Sequence, residues 1–235
     1  MKNDFPLVVV ISCKKNKQKQ LLIKEHFKDS IDYVIVQGGS KKTFITDNIL
    51  NLKTDDSYEL LHIKVIEAFK YIKQFKRSIL KIDDDTFLDI NKFKKFDFNF
   101  DYGGFVNVGP KTNYVYHQDK ITDKRFLTPI NDNPNFYYDF ALGGGYFLSK
   151  KALNIILKNY KKNSEYHNHL QFKKGREDRI VGQILYPFFC RIVVKNNGFW
   201  IDEELFSAFD SMLYHPVTED KYSLLLRKKN INFYV

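Results

Sequence analysis

The most regular pattern in the chain is a pair of apolar runs separated by a polar segment. LVVVIS at 7–12 and YVIVQGG at 33–39 are continuous enough to predict buried strands, and the second ends in a glycine turn. KQKQLLIKEHF at 17–27 lies between them and predicts a short helix. A strand–helix–strand unit is typical of a parallel sheet, in which ligands bind at the carboxyl ends of the strands.

A long amphipathic segment comes next. At 57–76, apolar residues recur at helical spacing while lysines and glutamates occupy the opposite face, which predicts a helix packed on the sheet. ILKI at 79–82 then predicts a third strand, and this strand runs directly into Asp83, Asp84 and Asp85. We therefore expect the three carboxylates at the edge of the sheet where ligands bind.

The second half of the chain has a less regular pattern. It predicts a strand and a glycine turn at 97–109, followed by a long loop at 111–135. Segment 140–160 predicts a glycine-rich turn, a short strand and a helix whose N-cap is Ser149. A further short helix is predicted within 175–188.

Composition favours one soluble domain. The 235 residues are 43% apolar and 16% aromatic, which is enough for a large core. The net charge of +10 would suit nucleic acid, but only six of the 38 basic residues are arginine, the residue best suited to bidentate phosphate and base contacts. Two cysteines are too few for a disulfide framework. No apolar run approaches the roughly 20 residues of a membrane span, so we expect a soluble, cytoplasmic protein.

The three aspartates carry the clearest chemical signal. In an extended strand Asp83 and Asp85 share one face and Asp84 points to the other. Alternate strand residues lie about 6–7 Å apart at Cα, and two carboxylates at that spacing favour a hard cation such as Mg²⁺ or Mn²⁺. The alternative is an acidic turn with three solvated carboxylates. The apolar strand and the amphipathic helix before the aspartates favour the metal site.

Three weaker signals lie later in the chain. Glu177 and Asp178 either complement the dipole of a helix that starts there or supply a general base. His215 is either a ligand of Mn²⁺ or an ordinary loop or core histidine. Gly143–Gly145 do not match a P-loop, and they allow either close approach of the backbone to a ligand or a tight turn.

Taken in order, these motifs resemble the inverting glycosyltransferases of the β-1,3-galactosyltransferase, β-1,3-N-acetylglucosaminyltransferase and Fringe group. The matching segments are VVVISCKKNKQKQLLIKEHF, DDSYELLHIKVIEAF, LKIDDDTF, LGGGYFLSKKAL, REDRIVGQIL and LYHPVTEDKYSLL. The resemblance implies a GT-A fold, an α/β Rossmann-like mixed sheet flanked by helices, as a single domain over residues 1–235. Residues 1–110 would be the nucleotide-sugar-binding half and 111–235 the acceptor and catalytic half.

The resemblance also implies roles for individual residues. Asp178 would be the catalytic base. The metal, Mn²⁺ or Mg²⁺, would be held by Asp85 and His215 with Asp83. The residues implied to bind the donor are Asp83, Asp84, Gly144, Gly145 and Lys24. Lys24 stands where the family carries an arginine, and the two side chains bind phosphate with different geometry.

We therefore expect a metal-dependent inverting transferase. It would move a hexose or N-acetylhexosamine from UDP-galactose or UDP-N-acetylglucosamine to a hydroxyl of a glycan or glycoprotein acceptor, with a β-1,3 linkage. One alternative is a metal-dependent nuclease or nucleotidyltransferase, because clustered aspartates also support two-metal phosphoryl chemistry. Another is a non-catalytic basic domain that binds nucleic acid or sugar, which would show salt-dependent polyanion binding without affinity for UDP.

Overall fold

The structure of the protein is a computed structural model. It describes residues 5–107, 140–160, 177–188, 192–193, 200–202, 212–215, 218–220 and 222–223. The loop predicted at 111–135 lies outside these ranges. No helix in the described ranges has the length and apolar character needed to cross a membrane.

The described residues form eleven strands and five helices. The strands are β1 (Leu7–Ile11), β2 (Tyr33–Gln37), β3 (Phe44–Thr46), β4 (Ile49–Asn51), β5 (Ile79–Asp83), β6 (Phe87–Leu88), β7 (Tyr102–Asn107), β8 (Phe140–Leu148), β9 (Ile192–Val193), β10 (Trp200–Asp202) and β11 (Leu213–His215). The helices are α1 (Lys17–Phe27), α2 (Leu61–Ile72), α3 (Ile90–Lys95), α4 (Lys150–Asn159) and α5 (Glu177–Leu185).

Eight of these strands form one mixed sheet in the order β3-β4-β2-β1-β5-β8-β7-β9. β1 pairs in parallel with both β2 and β5, whereas β8 runs antiparallel to β5 and to β7. The predicted strand–helix–strand unit and mixed sheet are thereby confirmed. The parallel strands β1, β2 and β5 end at Ile11, Gln37 and Asp83, so these three residues lie together where the carboxyl ends of the strands meet. We call this end of the sheet the carboxyl edge.

The central strand β1 is buried along its whole length because helices cover both faces of the sheet. Val9 and Ile11 pack in a cluster with α2, α4 and α5, and Val8 and Val10 pack in a second cluster with α1 and α3. A strand buried on both faces requires an uninterrupted apolar run, which is what 7–11 supplies. Each fully buried valine or isoleucine contributes about 1.5–3 kcal/mol to stability.

The helices follow their predicted positions, with one shortened. α1 has the predicted bounds, and Ser149 caps α4 by accepting a hydrogen bond from the Ala152 N–H at 3.1 Å. α2 starts at Leu61 instead of residue 57, because the Ser57 N–H donates to the Asp55 carboxylate and forms a turn before the helix. It ends before a short 3₁₀ turn that closes at Lys76, whose φ of 55° is left-handed.

The glycine-rich segment predicted as a turn is part of a strand. β8 runs through Gly143, Gly144 and Gly145, and Gly145 pairs with Ile82 of β5. A Cβ on Gly145 would lie 2.5 Å from the Leu213 Cδ1 atom. The predicted turn is therefore wrong: close packing, and not chain reversal, requires glycine here.

A second, smaller sheet joins the C-terminal part of the chain to the aspartate turn. β11 pairs antiparallel with β6, with Leu213 opposite Leu88 and Tyr214 opposite Phe87, and it pairs in parallel with β10. The Asp89 N–H also donates to the Met212 carbonyl at 2.8 Å. β11 is thereby fixed beside the residues that directly follow Asp85.

Candidate active site at the carboxyl edge

β5 delivers three carboxylates to the carboxyl edge. Asp83 is its last residue, and the Thr86 N–H donates to the Asp83 carbonyl at 3.1 Å, which closes a turn around Asp84 and Asp85. The Thr86 hydroxyl donates to the Gly144 carbonyl at 2.6 Å and so anchors the turn to β8. Asp83 and Asp85 are half-buried, whereas Asp84 is buried. Asp83 and Asp84 face opposite sides, as predicted. The predicted extended strand through Asp85 is wrong, because β5 ends at Asp83 and Asp84 and Asp85 lie in the turn, so alternation does not place Asp85 on the face of Asp83.

Asp84 is bound by residues of its own chain. One carboxylate oxygen accepts from the Ser12 hydroxyl and the Asn16 amide, both at 2.7 Å, and the other lies 3.4 Å from the Lys19 Nζ. Burial raises the pKa of Asp84, and the Asn16 hydrogen bond and the Lys19 charge offset part of that rise. Asp84 therefore fastens the turn to the start of α1, and this geometry gives it an intramolecular role that the sequence did not indicate.

Lys81 is a fully buried lysine in the middle of β5. Its ammonium donates to Asp83 and to Glu177, both at 2.7 Å, and to the Gly143 carbonyl. Burial by itself lowers the pKa of Lys81, but the charges of Asp83 and Glu177 outweigh burial and hold the pKa above its ordinary value. The sequence analysis missed this residue, although a lysine two positions before Asp83 in an apolar strand shares its face.

The acidic pair at the start of α5 divides into two environments. Glu177 is only 4% exposed and accepts from Lys81, whereas Asp178 is half-buried and accepts from the Gly143 N–H at 3.2 Å. Burial raises the pKa of Glu177 to about 7 against the opposing charge of Lys81, with the nearby negative charge of Asp178 adding to the rise. Asp178 is thus the more exposed member of the pair.

The glycines of β8 make room for both acidic groups and for β11. A Cβ on Gly143 would lie 3.1 Å from the Glu177 Oε1 atom, and one on Gly145 would collide with Leu213. Gly144 contributes its carbonyl to Thr86. Gly144 and Gly145 therefore lie beside the aspartate turn, and their described contacts are with the protein itself. Their role in binding the donor stays a prediction.

The backbone places His215 next to the aspartate turn. Because Tyr214 pairs with Phe87 in an antiparallel register, His215 stands at the register position that follows, toward Asp85. Its backbone is described, but its side chain lies outside the described residues. The resemblance implies that Asp85 and His215 hold one metal. The register places the backbone of His215 opposite Thr86, next to Asp85, and the shared metal site stays a prediction.

Lys24 lies away from this cluster. It pairs with Asp47 in the β3–β4 turn and lines an open cleft of about 710 Å³ together with residues 28–33. Because α1 runs from the carboxyl edge to the opposite edge of the sheet, its last turn cannot reach the aspartates that Lys19, in its first turn, does contact. The structure does not bring Lys24 together with the other predicted donor-binding residues.

A polar network that was not predicted from the sequence fixes the loops that follow β1 and β2. The Asp56 carboxylate accepts from the N–H groups of Lys14 and Gly38, both at 2.8 Å, and from the Lys64 ammonium at 3.0 Å. Lys64 also donates to the Ser12 carbonyl at 2.8 Å. The loops after two neighbouring strands are thus tied to α2. The sequence pattern placed the lysines of this helix on its polar face, and for Lys64 that prediction is wrong, because its side chain is buried. The available signal was the DDSY segment followed by a lysine three residues after Leu61 and four before Ala68, two apolar positions of the helix.

The turn and β11 offer ligand types that suit a hard divalent cation, since Asp83 and Asp85 supply carboxylates and residue 215 is a histidine. Among the side chains that the structure describes, no three His, Cys, Asp or Glu residues are close enough to hold a metal. The His215 imidazole is not among those side chains. A third ligand from β11 would complete the set.

The family model for galactosyltransferases matches residues 40–185, which is more than half of the chain. A search of curated proteins gave no significant match. Among solved structures, the chain is similar to a glycosyltransferase involved in the glycosylation of the major capsid of PBCV-1, at 14% identity and a TM-score of 0.51 over 95% of this chain and 100% of that chain. At this identity the likeness shows the fold alone, and it confirms the predicted GT-A-type α/β architecture. The family match disfavours the nuclease and non-catalytic alternatives, and we conclude that the chain belongs to the galactosyltransferase family and is a glycosyltransferase.

Proposed function

We propose that the protein is a metal-dependent inverting glycosyltransferase. It transfers a hexose or N-acetylhexosamine from UDP-galactose or UDP-N-acetylglucosamine to a hydroxyl of a glycan or glycoprotein acceptor, forming a β-1,3 linkage. The observation that carries the proposal is that Asp83 and Glu177 both bind one buried lysine, Lys81, at the carboxyl edge, with Asp178 next to Glu177 and bound to the Gly143 N–H. The family membership supports a sugar donor and a glycan acceptor.

The donor side of the site is the turn after β5. Asp85, His215 and Asp83 would hold Mn²⁺ or Mg²⁺. When bound, the metal acts as a Lewis acid for the diphosphate leaving group. The loops after β1 and β2, which Asp56 holds together, would form part of the nucleotide-sugar-binding half at residues 1–110.

The base side of the site is the first turn of α5. Asp178 takes the proton from the attacking acceptor hydroxyl, and the hydroxyl oxygen attacks the anomeric carbon opposite the leaving diphosphate, which inverts the configuration. General-base assistance of this kind is typically worth about 10²–10⁴ in rate. Glu177 does not serve as the base because it is buried and bound to Lys81.

Replacing Asp178 by asparagine tests this proposal. Asp178→Asn keeps an oxygen acceptor for the Gly143 N–H, so the fold and the affinity for UDP should be retained, while kcat should fall by about 10² or more. Asp47→Asn is the matched control, because Asp47 is 78% exposed and lies at the opposite edge of the sheet. An Asp178→Asn protein with the activity of the wild type would show that the base is assigned wrongly.

Asp85→Ala tests the donor side separately. It should weaken UDP binding in the presence of Mn²⁺ and leave the weak binding in EDTA unchanged, since the carboxylate acts through the metal. Isothermal titration with and without Mn²⁺ measures both values. Equal losses in the two conditions would mean that Asp85 contacts the nucleotide or the fold, and not the metal.

A further inference from the structure

Lys81 occupies a position where a lysine is costly unless it has a specific task. It is fully buried in a central strand between Leu80 and Ile82, in a sheet covered on both faces. Removing an ammonium from water costs several kcal/mol, and well-packed apolar residues in place of a buried ion pair are often neutral or stabilising. Stability of the fold therefore gives no reason to keep an ion at this place.

The three donors of the Lys81 ammonium are all used, and they join three separate elements. One contacts Asp83 at the end of β5, one contacts Glu177 at the start of α5, and one contacts the Gly143 carbonyl in β8. An ammonium has three donors, so this set is complete. The donor side and the base side of the site are thus attached to one atom.

Gly143 is held at both polar groups of its backbone. Its carbonyl accepts from Lys81, and its N–H donates to the Asp178 carboxylate at 3.2 Å. A side chain at this residue would push on the acidic group, because a Cβ would lie 3.1 Å from the Glu177 Oε1 atom and one of the two would have to shift. Lys81 therefore reaches Asp178 by two routes, through Glu177 in the same helix turn and through the Gly143 peptide.

We propose that Lys81 is a positioning residue, which holds Asp178 at a fixed place relative to Asp83 by binding Glu177 and the Gly143 carbonyl. The inference rests on the proposed function, in which Asp178 is the base and Asp83 lies on the donor side. Lys81 itself touches neither substrate. Its contribution is geometric, since a misplacement of about 1 Å in a reacting group can cost about 10² in rate.

The direct test is Lys81→Met, with Ser149→Ala as a control that weakens the protein elsewhere. Ser149 caps α4 and contacts none of the groups around Lys81, so its loss lowers stability without moving Asp178. With both variants folded at the assay temperature, Lys81→Met should lose about 10² in kcat with a much smaller change in KM for the donor. Ser149→Ala should keep the kcat of the wild type. A folded Lys81→Met protein with unchanged kcat would overturn the inference.

A double-mutant cycle with Asp178→Asn distinguishes positioning from an independent structural effect. If Lys81 acts through Asp178, then Lys81→Met should cause no further loss of kcat once Asp178 is asparagine. If the two losses multiply, Lys81 acts elsewhere and the inference is wrong.

Variants at Glu177 keep the test open if Lys81→Met does not fold. The double variant Lys81→Met/Glu177→Leu removes both charges of the Lys81–Glu177 ion pair, so neither partner is left as an unpaired buried ion. It should lose about as much kcat as is expected for Lys81→Met alone. Glu177→Gln retains an oxygen that can accept from Lys81, so it should keep most of the activity, whereas Glu177→Leu should not. Equal activity of the Gln and Leu variants would contradict a role for the Lys81–Glu177 contact.

Amide hydrogen exchange gives a readout that does not depend on catalysis. Lys81→Met should speed exchange at the Gly143 N–H and in the first turn of α5, and Ser149→Ala should not. A wild-type protein that transfers no sugar would refute the proposed function while this exchange pattern still supports the linkage through Lys81. Unchanged exchange at Gly143 in Lys81→Met would overturn the inference whatever the activity.

Discussion

Asp84→Ala should destabilise the protein in the absence of any ligand. The Asp84 side chain is 10% exposed and accepts from Ser12 and Asn16 at 2.7 Å and from Lys19 at 3.4 Å. A hydrogen bond to a charged group contributes about 1.5–3 kcal/mol. Burial disfavours the charged form of Asp84 and so cancels part of what the three contacts contribute. We therefore expect Asp84→Ala to lower the free energy of unfolding by about 2–4 kcal/mol. For a chain of this size that corresponds to a fall in Tm of about 10 °C.

Asp47→Ala is the matched control for this experiment. It makes the same substitution in an aspartate that is also paired with a lysine, Lys24, but is 78% exposed. Exposed pairs contribute about 0–1 kcal/mol, so Tm should fall by no more than about 4 °C. Differential scanning calorimetry without nucleotide compares the two variants. If Asp84→Ala has the Tm of the wild type without nucleotide, and a lower Tm than the wild type only when UDP is added, then Asp84 binds the donor. The intramolecular role of Asp84 would then be wrong.

Three further predictions concern neighbouring residues. Gly145→Ala should cost about 1–3 kcal/mol, because the new Cβ would lie 2.5 Å from the Leu213 Cδ1 atom in a buried contact, and Leu213→Ala should relieve part of that cost in urea denaturation. Burial raises the pKa of Glu177 from 4.5 to about 7, so the folded protein keeps a proton there that the unfolded chain releases. Stability from this group is full below about pH 4.5 and is lost as the pH rises through 7, by up to about 3 kcal/mol. In Glu177→Gln, the decline of stability between pH 5 and 8 should be smaller than in the wild type. If the two proteins show the same pH dependence of stability, a group other than Glu177 causes the decline. Lys24→Ala should leave the affinity for UDP unchanged in calorimetric titration, since Lys24 pairs with Asp47 away from the aspartates, and a large loss of affinity would return Lys24 to the donor site.

The central elements could be predicted because their sequence patterns are local. The run at 7–11 is apolar throughout since β1 is buried on both faces, and the residues of 17–27 that become buried, Gln20, Ile23, His26 and Phe27, lie at helical spacing. β3 and β4 were not predicted, because all three residues of β3 are exposed and its sequence has no buried face to reveal it. The β8 glycines were misassigned to a turn because the contact that requires Gly145 comes from Leu213, far away in sequence.

In the candidate site, too, features that depend on local sequence could be predicted and features that depend on distant residues could not. The opposite orientations of Asp83 and Asp84 were predicted, but the extended conformation predicted for all three aspartates was wrong, because β5 ends at Asp83 and a turn begins there. The partners of Asp84 could not be predicted, since they come from the loop after β1 and from α1. Lys81 was overlooked because its two acidic partners meet only when α5 packs against β8.

The measurement that tests the central claim most directly is real-time proton NMR of UDP-sugar hydrolysis by the protein with Mn²⁺, since it needs no acceptor. The account predicts that UDP-galactose or UDP-N-acetylglucosamine releases UDP and the β-anomer of the free sugar first, and that EDTA or Asp178→Asn stops the release. First appearance of the α-anomer, or no release from any UDP-sugar with Mn²⁺, would contradict it.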